Sequence, residues 1–261
     1  MNIPFNNNVV ILTGASKGIG ARLAYQLAGQ GACLVLAARE AERLEVVAEE
    51  CRRRGAQAMA VPTDATDEAQ CKHLVDQAVG AFGRVDTLLF NAGYGYPRRF
   101  EAFPDLATLK SEIALNYLGL VHCVYYALPH LRQSKGRIVS VSSFGALVGL
   151  PGTIGYNASK HAARGFLNTL RAELVGTGVT VTIVYPGAVR TQRLEETMGA
   201  NVNRVPTMSP ERCAEITLNA AAKRKRQVIM TFEGKLLFWL SLFLPGLLDR
   251  QLARLTSLYE K

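Results

Sequence analysis

The sequence predicts an α/β protein built on one doubly wound parallel sheet with helices on both faces. Two observations predict this class: short apolar runs alternate with helical patterns along the chain, and each run is apolar at nearly every position. Strands buried on both faces have this pattern, because parallel sheets carry helices on each side. The 261 residues, 49% hydrophobic, contain no linker or repeat, so we expect residues 1–261 to form a single domain.

The first half of the chain supplies four of the predicted strands. The run Val9–Leu12 is β-branched, apolar and followed by Thr13-Gly14, which indicates a buried first strand. Glycines at 31 and 55 follow two helical patterns, as is typical of helix ends. The predicted elements are, in order, strand Val9–Leu12, helix Gly18–Gln30, strand Leu34–Ala37, helix Glu40–Arg54, strand Ala58–Val61, helix Asp67–Phe82 and strand Thr87–Phe90.

The second half continues the alternation and includes one long helical stretch. Its predicted elements are helix Leu109–Gln133, strand Arg137–Val141, helix Tyr156–Val175, strand Val179–Val184, helix Pro210–Arg224 and strand Gln227–Met230. In open parallel sheets, ligands bind at the carboxyl ends of the strands, where the strand order reverses. Functional residues are therefore expected directly after the strands.

A glycine-rich segment, Thr13-Gly-Ala-Ser-Lys-Gly-Ile-Gly20, joins the first strand to the first helix. Its glycines let the backbone turn tightly and approach a pyrophosphate held on the helix N-terminus. This position favours a dinucleotide site of the Rossmann type over an ordinary glycine turn. The loop residues that we expect to bind the dinucleotide are Gly14, Ser16, Lys17, Gly18, Ile19 and Gly20.

The residue after the second strand indicates which nicotinamide dinucleotide binds. An acid there holds the ribose 2′-hydroxyl of NAD and repels a 2′-phosphate, but here Arg39 ends the strand and the first acid is Glu40. Arg39 can bind a phosphate with two parallel hydrogen bonds, and Lys17 adds positive charge on the same side. We therefore expect NADP(H) as cofactor. If Arg39 only begins a solvated helix, the preference stays open.

The glycine spacing, TGxxxGxG, resembles that of the short-chain dehydrogenase/reductase family in its single-domain form. Asp64 matches the acid that the family places beside the adenine. The segment Asn91-Ala-Gly93 resembles the family's Asn-Asn-Ala-Gly motif, with Phe90 in place of the first asparagine. Pro186-Gly187 and Thr191 resemble its PGxVxT motif. The resemblance implies a cofactor-binding role for Asp64, Asn91, Gly93, Pro186, Gly187, Val189 and Thr191.

Two residues with acid–base chemistry lie four apart in a predicted helix: Tyr156 and Lys160 share one helix face. A tyrosine has a pKa of about 10, and a fixed cation nearby favours the phenolate and lowers that pKa toward working pH. Ser143 follows the fifth strand and can donate to a substrate oxygen as negative charge develops there. Ser142 competes for this role, but strand alternation directs it to the opposite face.

The same resemblance implies four catalytic residues: Asn116, Ser143, Tyr156 and Lys160. In the family, the backbone carbonyl of the residue matching Asn116 holds a water in a proton relay, and Tyr156 and Lys160 also match residues at the nicotinamide ribose. The implied activity is an NADP(H)-dependent interconversion of a ketone or aldehyde with an alcohol. The alternative is a catalytically silent cofactor-binding or membrane-surface protein, and the intact set of four argues against a silent protein.

Residues 190–208 lie where the family carries its substrate lid, and they are rich in Arg, Glu, Met and Asn. The residues expected near the pocket mouth are largely apolar, which favours a lipophilic substrate. These residues are Tyr94, Tyr96, Phe144, Leu147, Val148 and Leu150.

The chain ends in an apolar extension, residues 234–261. Leu236–Leu244 is apolar nearly all round, and Pro245-Gly246 interrupts it before it reaches the about 20 residues that a membrane-spanning helix needs. Three alternatives remain open: it packs over the cleft of its own domain, it lies in a dimer interface, or residues 236–248 contact a membrane surface. The basic run Lys223–Arg226 suits anionic lipids but equally suits a solvated helix end.

Composition limits the partners. The net charge of +9 favours anionic partners, and we expect a small carbonyl or alcohol substrate, a homodimer and no nucleic acid. The five cysteines form no metal-ligand or disulfide pattern, so we expect no metal and a reducing compartment. No signal peptide is predicted at the N-terminus. We therefore expect a cytoplasmic protein with membrane association as an open alternative.

Overall fold

The computed structural model describes residues 4–253, and in it seven parallel strands form one sheet. The strand order β3-β2-β1-β4-β5-β6-β7 reverses between β1 and β4, so the predicted doubly wound sheet is confirmed. The strands are β1 Val9–Thr13, β2 Cys33–Ala38, β3 Ala58–Pro62, β4 Thr87–Phe90, β5 Arg137–Val141, β6 Thr180–Tyr185 and β7 Gln227–Ile229.

Helices cover both faces of this sheet, because alternate residues of each buried strand point to opposite sides. In β1, Ile11 enters one apolar cluster, whereas Val10 and Leu12 enter the other. The first cluster includes residues of the helices Glu68–Phe82, Gly119–Ser134 and Ile154–Glu173, and the second includes residues of the helices Gly18–Ala28, Ala41–Arg53 and Pro210–Ala222. The helices are α1 Gly18–Ala28, α2 Ala41–Arg53, α3 Glu68–Phe82, α4 Ala107–Ile113, α5 Gly119–Ser134, α6 Ile154–Glu173, α7 Gln192–Met198, α8 Pro210–Ala222, α9 Phe232–Phe243 and α10 Pro245–Ala253.

The long helix predicted over Leu109–Gln133 differs from the structure in its interior. A π-helical segment, Ala114–Leu118, separates α4 from α5. A periodicity of apolar residues does not reveal one extra residue in a turn, so the sequence pattern passes through it. Such π-bulges are frequent at functional sites, and this one carries Asn116.

The segment expected to form a lid, residues 190–208, leaves and rejoins the fold at one point. Two short parallel strands, Ala188–Val189 and Thr207–Met208, pair at its base, and the Arg190 N–H donates to the Met208 carbonyl at 2.9 Å. Helix α7 and a 3₁₀ turn lie between them. This pairing ties both ends of the segment beside the carboxyl end of β6.

The apolar C-terminal segment forms two helices, with the break at Pro245 as predicted. Leu248 and Leu252 of α10 enter the core, and Leu237 and Phe238 of α9 pack partly against it. The opposite face of α9 is exposed. No helix among residues 4–253 is long and apolar enough to cross a membrane. Residues 254–261 of the extension lie outside the described residues.

Candidate active site

Two adjoining cavities open at the carboxyl edge of the sheet. The expected site residues in the wall of the first cavity, of about 310 Å³, are Gly14, Ser16, Lys17, Gly18, Ile19, Arg39, Asp64, Asn91, Gly93 and Thr191. Those in the wall of the second, of about 370 Å³, are Ile19, Asn91, Gly93, Ser143, Tyr156, Lys160, Pro186, Gly187, Val189 and Thr191. Gly20 and Asn116 line neither cavity. The fold therefore brings the residues predicted from distant parts of the chain to one edge.

The glycine loop is a close-packed cradle. Gly14 adopts a φ of +65°, and a Cβ at Gly20 would lie 1.9 Å from the Gly14 carbonyl oxygen, so neither position accepts a side chain. Asn91 closes the cradle by donating from Nδ2 to the Gly14 carbonyl at 3.0 Å. Lys17, the N-cap of α1, makes no side-chain cap, so the leading N–H groups of that helix are left for a ligand.

Charged groups lie at the rim of the first cavity. Arg39 is exposed on the cavity wall. The Lys17 ammonium lies 3.2 Å from the Glu40 carboxylate, which also pairs with Arg43 at 3.0 Å. The hydrogen bond from Lys17 holds the pKa of Glu40 below its usual value. Sequence reasoning treated Lys17 as a free positive charge, and the structure gives it an acidic partner.

Asp64 lies at the far end of the same wall, after β3. Its carboxylate accepts hydrogen bonds from the Thr66 backbone N–H at 2.9 Å and from the Thr66 hydroxyl at 2.8 Å. These two bonds fix the side chain, because the chain turns back immediately toward α3. The acid is therefore held in one orientation at the cavity rim.

Ser143, Tyr156 and Lys160 meet in the second cavity. Ser143 is close enough to Tyr156 to lower the pKa of its phenol, and the Ser143 Oγ accepts the Gly145 N–H at 3.1 Å. The Lys160 ammonium lies 5.6 Å from the centre of the Tyr156 ring. Ser142 also lines this cavity, but it is buried and its hydroxyl has no partner among the described residues, whereas Ser143 is the serine that acts on the Tyr156 pKa.

Burial governs the acid–base properties of this pair. Burial raises the pKa of Tyr156, the hydrogen bond from Ser143 opposes that rise, Glu112 adds to it and Arg193 opposes it. Burial also lowers the pKa of Lys160 to about 8. The sequence predicted that Lys160 would bring the Tyr156 pKa down, whereas in this cofactor-free structure the shift is upward and burial of the phenol is its largest cause.

Asn116 lies behind the cavities on the π-helical segment. Its side chain accepts the Tyr94 N–H at 3.0 Å and donates to the Tyr94 carbonyl at 2.8 Å and to the Ser159 hydroxyl at 2.9 Å. Ser159 in turn donates to the Tyr156 carbonyl at 2.7 Å. The asparagine therefore links the loop after β4 to the helix that carries Tyr156.

Sequence reasoning missed Ser159, Gly95 and Glu112. A Cβ at Gly95 would lie 2.7 Å from the Tyr156 ring, so the loop backbone packs directly on the phenol. The closely spaced glycines in Gly93-Tyr-Gly95 were the available signal for a backbone in close contact. Nothing in the sequence marked Ser159 or Glu112, because a polar residue in a helix indicates no particular role until its tertiary contacts are known.

The mouth of the second cavity mixes apolar and aromatic groups. Tyr94, Phe144 and Leu150 of the expected set line the cavity. Leu147 and Val148 are buried in the core instead, because the chain forms a 3₁₀ turn after Ser143 that points them inward. The Arg193 guanidinium of α7 lies 5.1 Å from the centre of the Tyr94 ring and 5.9 Å from that of Tyr96.

Comparisons with known proteins agree with this geometry. The sequence model of the family described as short chain dehydrogenase matches residues 8–201. The 11-beta-hydroxysteroid dehydrogenase-like 4A of Arabidopsis thaliana is 38% identical over 248 residues, which cover 93% of this chain and 83% of the relative. The 11-beta-hydroxysteroid dehydrogenase A of Sesamum indicum is 34% identical over 255 residues, covering 92% and 73%.

Two solved structures are similar over most of their length. A short-chain dehydrogenase/reductase from Burkholderia phymatum in complex with NAD has a TM-score of 0.85 and 26% identity, covering 94% of this chain and 96% of its own. An alcohol dehydrogenase from the archaeon Thermococcus sibiricus, complexed with 5-hydroxy-NADP, has a TM-score of 0.77 and 27% identity, covering 85% and 95%. The family model, the relatives and the solved structures agree, and the chain belongs to the short-chain dehydrogenase/reductase family of oxidoreductases.

Proposed function

We propose that this protein is an NADP(H)-dependent oxidoreductase that interconverts a lipophilic ketone or aldehyde with an alcohol, with Tyr156 as the acid–base group. One observation carries the proposal: Tyr156 lines the same cavity as Ser143 and Lys160, with the Lys160 ammonium 5.6 Å from its ring, and this cavity adjoins the glycine cradle. A tyrosine in this position can exchange a proton with a carbonyl oxygen while the adjoining cavity holds the redox group.

The residues of the first cavity fit a nicotinamide dinucleotide. Gly14 and Gly20 pack so closely on Asn91 and on each other that neither has room for a Cβ, which keeps the loop tight, and the uncapped start of α1 suits a pyrophosphate. Thr191 and Ile19 line both cavities and would lie along the nicotinamide end. The bound cofactor supplies or accepts the hydride.

The protein's own residues supply proton transfer and orientation. In reduction, Tyr156 donates its phenol proton to the carbonyl oxygen, and in oxidation it takes the proton back. Ser143 donates to the same oxygen as negative charge develops. Lys160 as the ammonium form stabilises the phenolate left behind, and Asn116 keeps the Tyr94 loop and α6 in register.

NADP(H) is the cofactor that the charges favour. The two solved relatives were complexed with an NADP derivative and with NAD, so the choice depends on residues of this chain. Arg39 on the cavity wall occupies the position after β2 where an acid would favour NAD. The neighbouring acid, Glu40, is already paired with Lys17 and Arg43. A guanidinium there binds a 2′-phosphate more strongly than a 2′-hydroxyl.

Arg39→Asp tests this choice. It should raise the KM for NADPH by about 10- to 100-fold and leave the KM for NADH nearly unchanged, since one charged contact contributes about 1.5–3 kcal/mol. Arg53→Asp, the same charge change on an exposed part of α2, is the matched control. Equal effects of Arg39→Asp on both cofactors would remove the 2′-phosphate assignment.

A lipophilic substrate is favoured by the second cavity and its neighbourhood. Phe144, Leu150, Met198 and Val205 line it, and relatives are named for hydroxysteroid dehydrogenation. The proposal is tested with [4-²H]NADPH and a panel of steroid ketones, aldehydes and acyl ketones. Deuterium should appear on the carbinol carbon of a product. Absence of labelled product from every lipophilic carbonyl, with cofactor bound, would contradict it.

We also propose that the exposed face of α9 contacts a membrane surface. Phe232, Leu236, Trp239 and Phe243 follow one another at helical spacing and are between 52% and 76% exposed. Gly234, on the buried side of the same helix, packs near Phe144 of the second cavity, so α9 stands beside that cavity. A helix with one exposed apolar face suits the interfacial region of a bilayer.

The basic residues that would accompany this contact are Lys235 and Arg250. The run Lys223–Arg226 precedes β7, whereas α9 follows β7. The run therefore lies at the amino end of this strand and α9 begins at its carboxyl end. Arg224 also donates to the carbonyls of Gly178 and Lys135, as a structural contact does. We therefore assign the basic run to helix termination rather than to lipids.

Cosedimentation with phosphatidylcholine/phosphatidylserine vesicles tests the membrane contact. Trp239→Gln with Phe243→Gln should reduce the bound fraction at least about 10-fold, since each buried aromatic contributes on the order of 1.5 kcal/mol or more. Tyr125→Gln on α5, another exposed aromatic, should leave binding unchanged. Equal binding by all three proteins would exclude the α9 face. The homodimer and the cytoplasmic location remain predictions, to be measured by light scattering and by fractionation.

A further inference from the structure

Glu112, in the last turn of α4, is a completely buried carboxyl group that the proposed chemistry does not use. No ion pair to it occurs among residues 4–253, whereas Asp86, the other buried carboxyl group described, pairs with Arg84. Burying a carboxylate without a cation is costly, and burial raises the pKa of Glu112.

The Glu112 side chain lies between the loop after β4 and the start of α6. Its Oε1 accepts the Tyr96 backbone N–H at 2.6 Å, and its Oε2 has no hydrogen-bond partner in the described part of the chain. A Cβ at Gly155 would lie 2.0 Å from that Oε2. The carboxyl group is therefore in contact with the residue that immediately precedes Tyr156.

The loop that Glu112 holds packs on the reactive tyrosine. The Gly95 backbone lies against the Tyr156 ring, where a Cβ would be 2.7 Å from Cγ. The rings of Tyr94 and Tyr96 are in edge contact at 5.5 Å, and Arg193 of α7 lies over both. One hydrogen bond to Tyr96 therefore supports the loop under the phenol and the aromatic pair under α7.

We propose that Glu112 is a positioning residue for Tyr156 that makes two separable contributions: its Oε1 holds the 94–96 loop against the phenol ring, and its carboxylate places a negative charge against Gly155, the residue next to Tyr156. This inference rests on the proposed function, in which Tyr156 is the acid–base group. The charged and titratable groups that face Tyr156 are Glu112 from α4, Arg193 from α7, and Ser143 and Lys160 from the site itself. Arg193 and the Tyr96 N–H are the groups that face Glu112.

The electrostatic effect has a defined sign. Glu112 raises the pKa of Tyr156 and Arg193 lowers it, so the ionised carboxylate keeps the phenol protonated to a higher pH. The protonated phenol is the form that can donate a proton during carbonyl reduction, and the phenolate is the form that can accept one during alcohol oxidation. Removing the charge should therefore shift the acidic limb of alcohol oxidation to lower pH.

Glu112→Gln and Glu112→Ala separate the two contributions. Glutamine keeps an acceptor oxygen for the Tyr96 N–H but removes the charge, whereas alanine removes both. Glu42→Gln on α2, an exposed glutamate, is the control for a change of net charge. The readouts are the titration of the Tyr156 phenol by NMR of protein labelled at tyrosine ¹³Cζ, assigned with Tyr156→Phe, and amide exchange at Tyr96.

We expect Glu112→Gln to lower the titration midpoint of Tyr156 by about half a pH unit or more and to leave Tyr96 exchange unchanged. Glu112→Ala should lower the midpoint and also speed Tyr96 exchange at least about 10-fold, since a buried hydrogen bond contributes about 1 kcal/mol or more. A midpoint unchanged in Glu112→Gln, or Tyr96 exchange unchanged in Glu112→Ala, overturns the corresponding contribution. Both readouts use cofactor-free protein, so failure of the proposed reaction is detected separately by the labelled-hydride assay.

Discussion

The buried Lys160 should lower the free energy of unfolding of the cofactor-free protein, and a single substitution can measure this effect. Its side chain is 4% exposed, no carboxylate among the described residues pairs with it, and burial alone lowers its pKa from 10.5 to about 8. An ammonium group held in this state destabilises the cofactor-free fold. Lys160→Met keeps most of the apolar stem and removes the charge, so it should stabilise the protein while abolishing its activity.

The magnitude follows from the shift in pKa. A depression from 10.5 to about 8, at about 1.4 kcal/mol per pH unit, corresponds to about 3 kcal/mol. Below pH 8 the lysine is protonated in both the folded and unfolded states, and the full penalty acts on the fold. Between pH 8 and 10.5 the folded state loses the proton first, so wild-type stability rises with pH and the penalty disappears above 10.5.

Urea unfolding of cofactor-free protein at pH 7 and at several values up to pH 10.5 measures this effect. Lys160→Met should be more stable than wild type by about 3 kcal/mol at pH 7, and the difference should shrink toward zero at high pH. Lys110→Met, at an exposed position of α4, should change stability by less than about 0.5 kcal/mol. A Lys160→Met protein that is no more stable at pH 7, or a difference independent of pH, would refute the reasoning.

Three other substitutions test the packing around the site. Gly95→Ala places a methyl group against the Tyr156 ring and should lower kcat at least about 10-fold. The control is Gly149→Ala, where a Cβ meets nothing within 4 Å, and it should leave kcat unchanged. Equal kcat values for the two variants would contradict the close contact. Asn116→Ala should lower kcat about 10- to 100-fold with a small change in cofactor Kd, and a change in Kd alone would contradict its link to α6. Gly165→Ala, exposed in α6 with open space around it, should raise the unfolding free energy by about 1 kcal/mol in urea titration, and a loss of stability would contradict the described helix.

The parts of the fold that follow from local patterns were predictable from the sequence. Predicted strands of four to six residues, apolar at nearly every position and alternating with helical periodicity, predicted the parallel sheet and placed the glycine loop at the carboxyl ends of its strands. Residues such as Arg39 and Asn91 were predictable for the same reason, because each directly follows a strand.

The contacts that tune the site were not predictable. The Glu112 side chain meets Tyr96 and Gly155 only because α4 packs against α6, and a lone glutamate in a helix carries no trace of that contact. The π-helical turn at Asn116 alters the helix by one residue, which periodicity does not resolve. The sequence of α9 is apolar nearly all round. The sequence alone therefore could not show which side of this helix packs against the core.

The central claim is that Tyr156 transfers the proton that accompanies hydride transfer. It is tested most directly by single-turnover oxidation of bound NADPH at 340 nm, with the best carbonyl substrate from the panel, in wild type and Tyr156→Phe. The account predicts a rate constant lower by about 10²- to 10⁴-fold in the variant, with a cofactor Kd within about twofold of wild type. A rate constant within a few-fold of wild type, at full cofactor occupancy, would contradict the account.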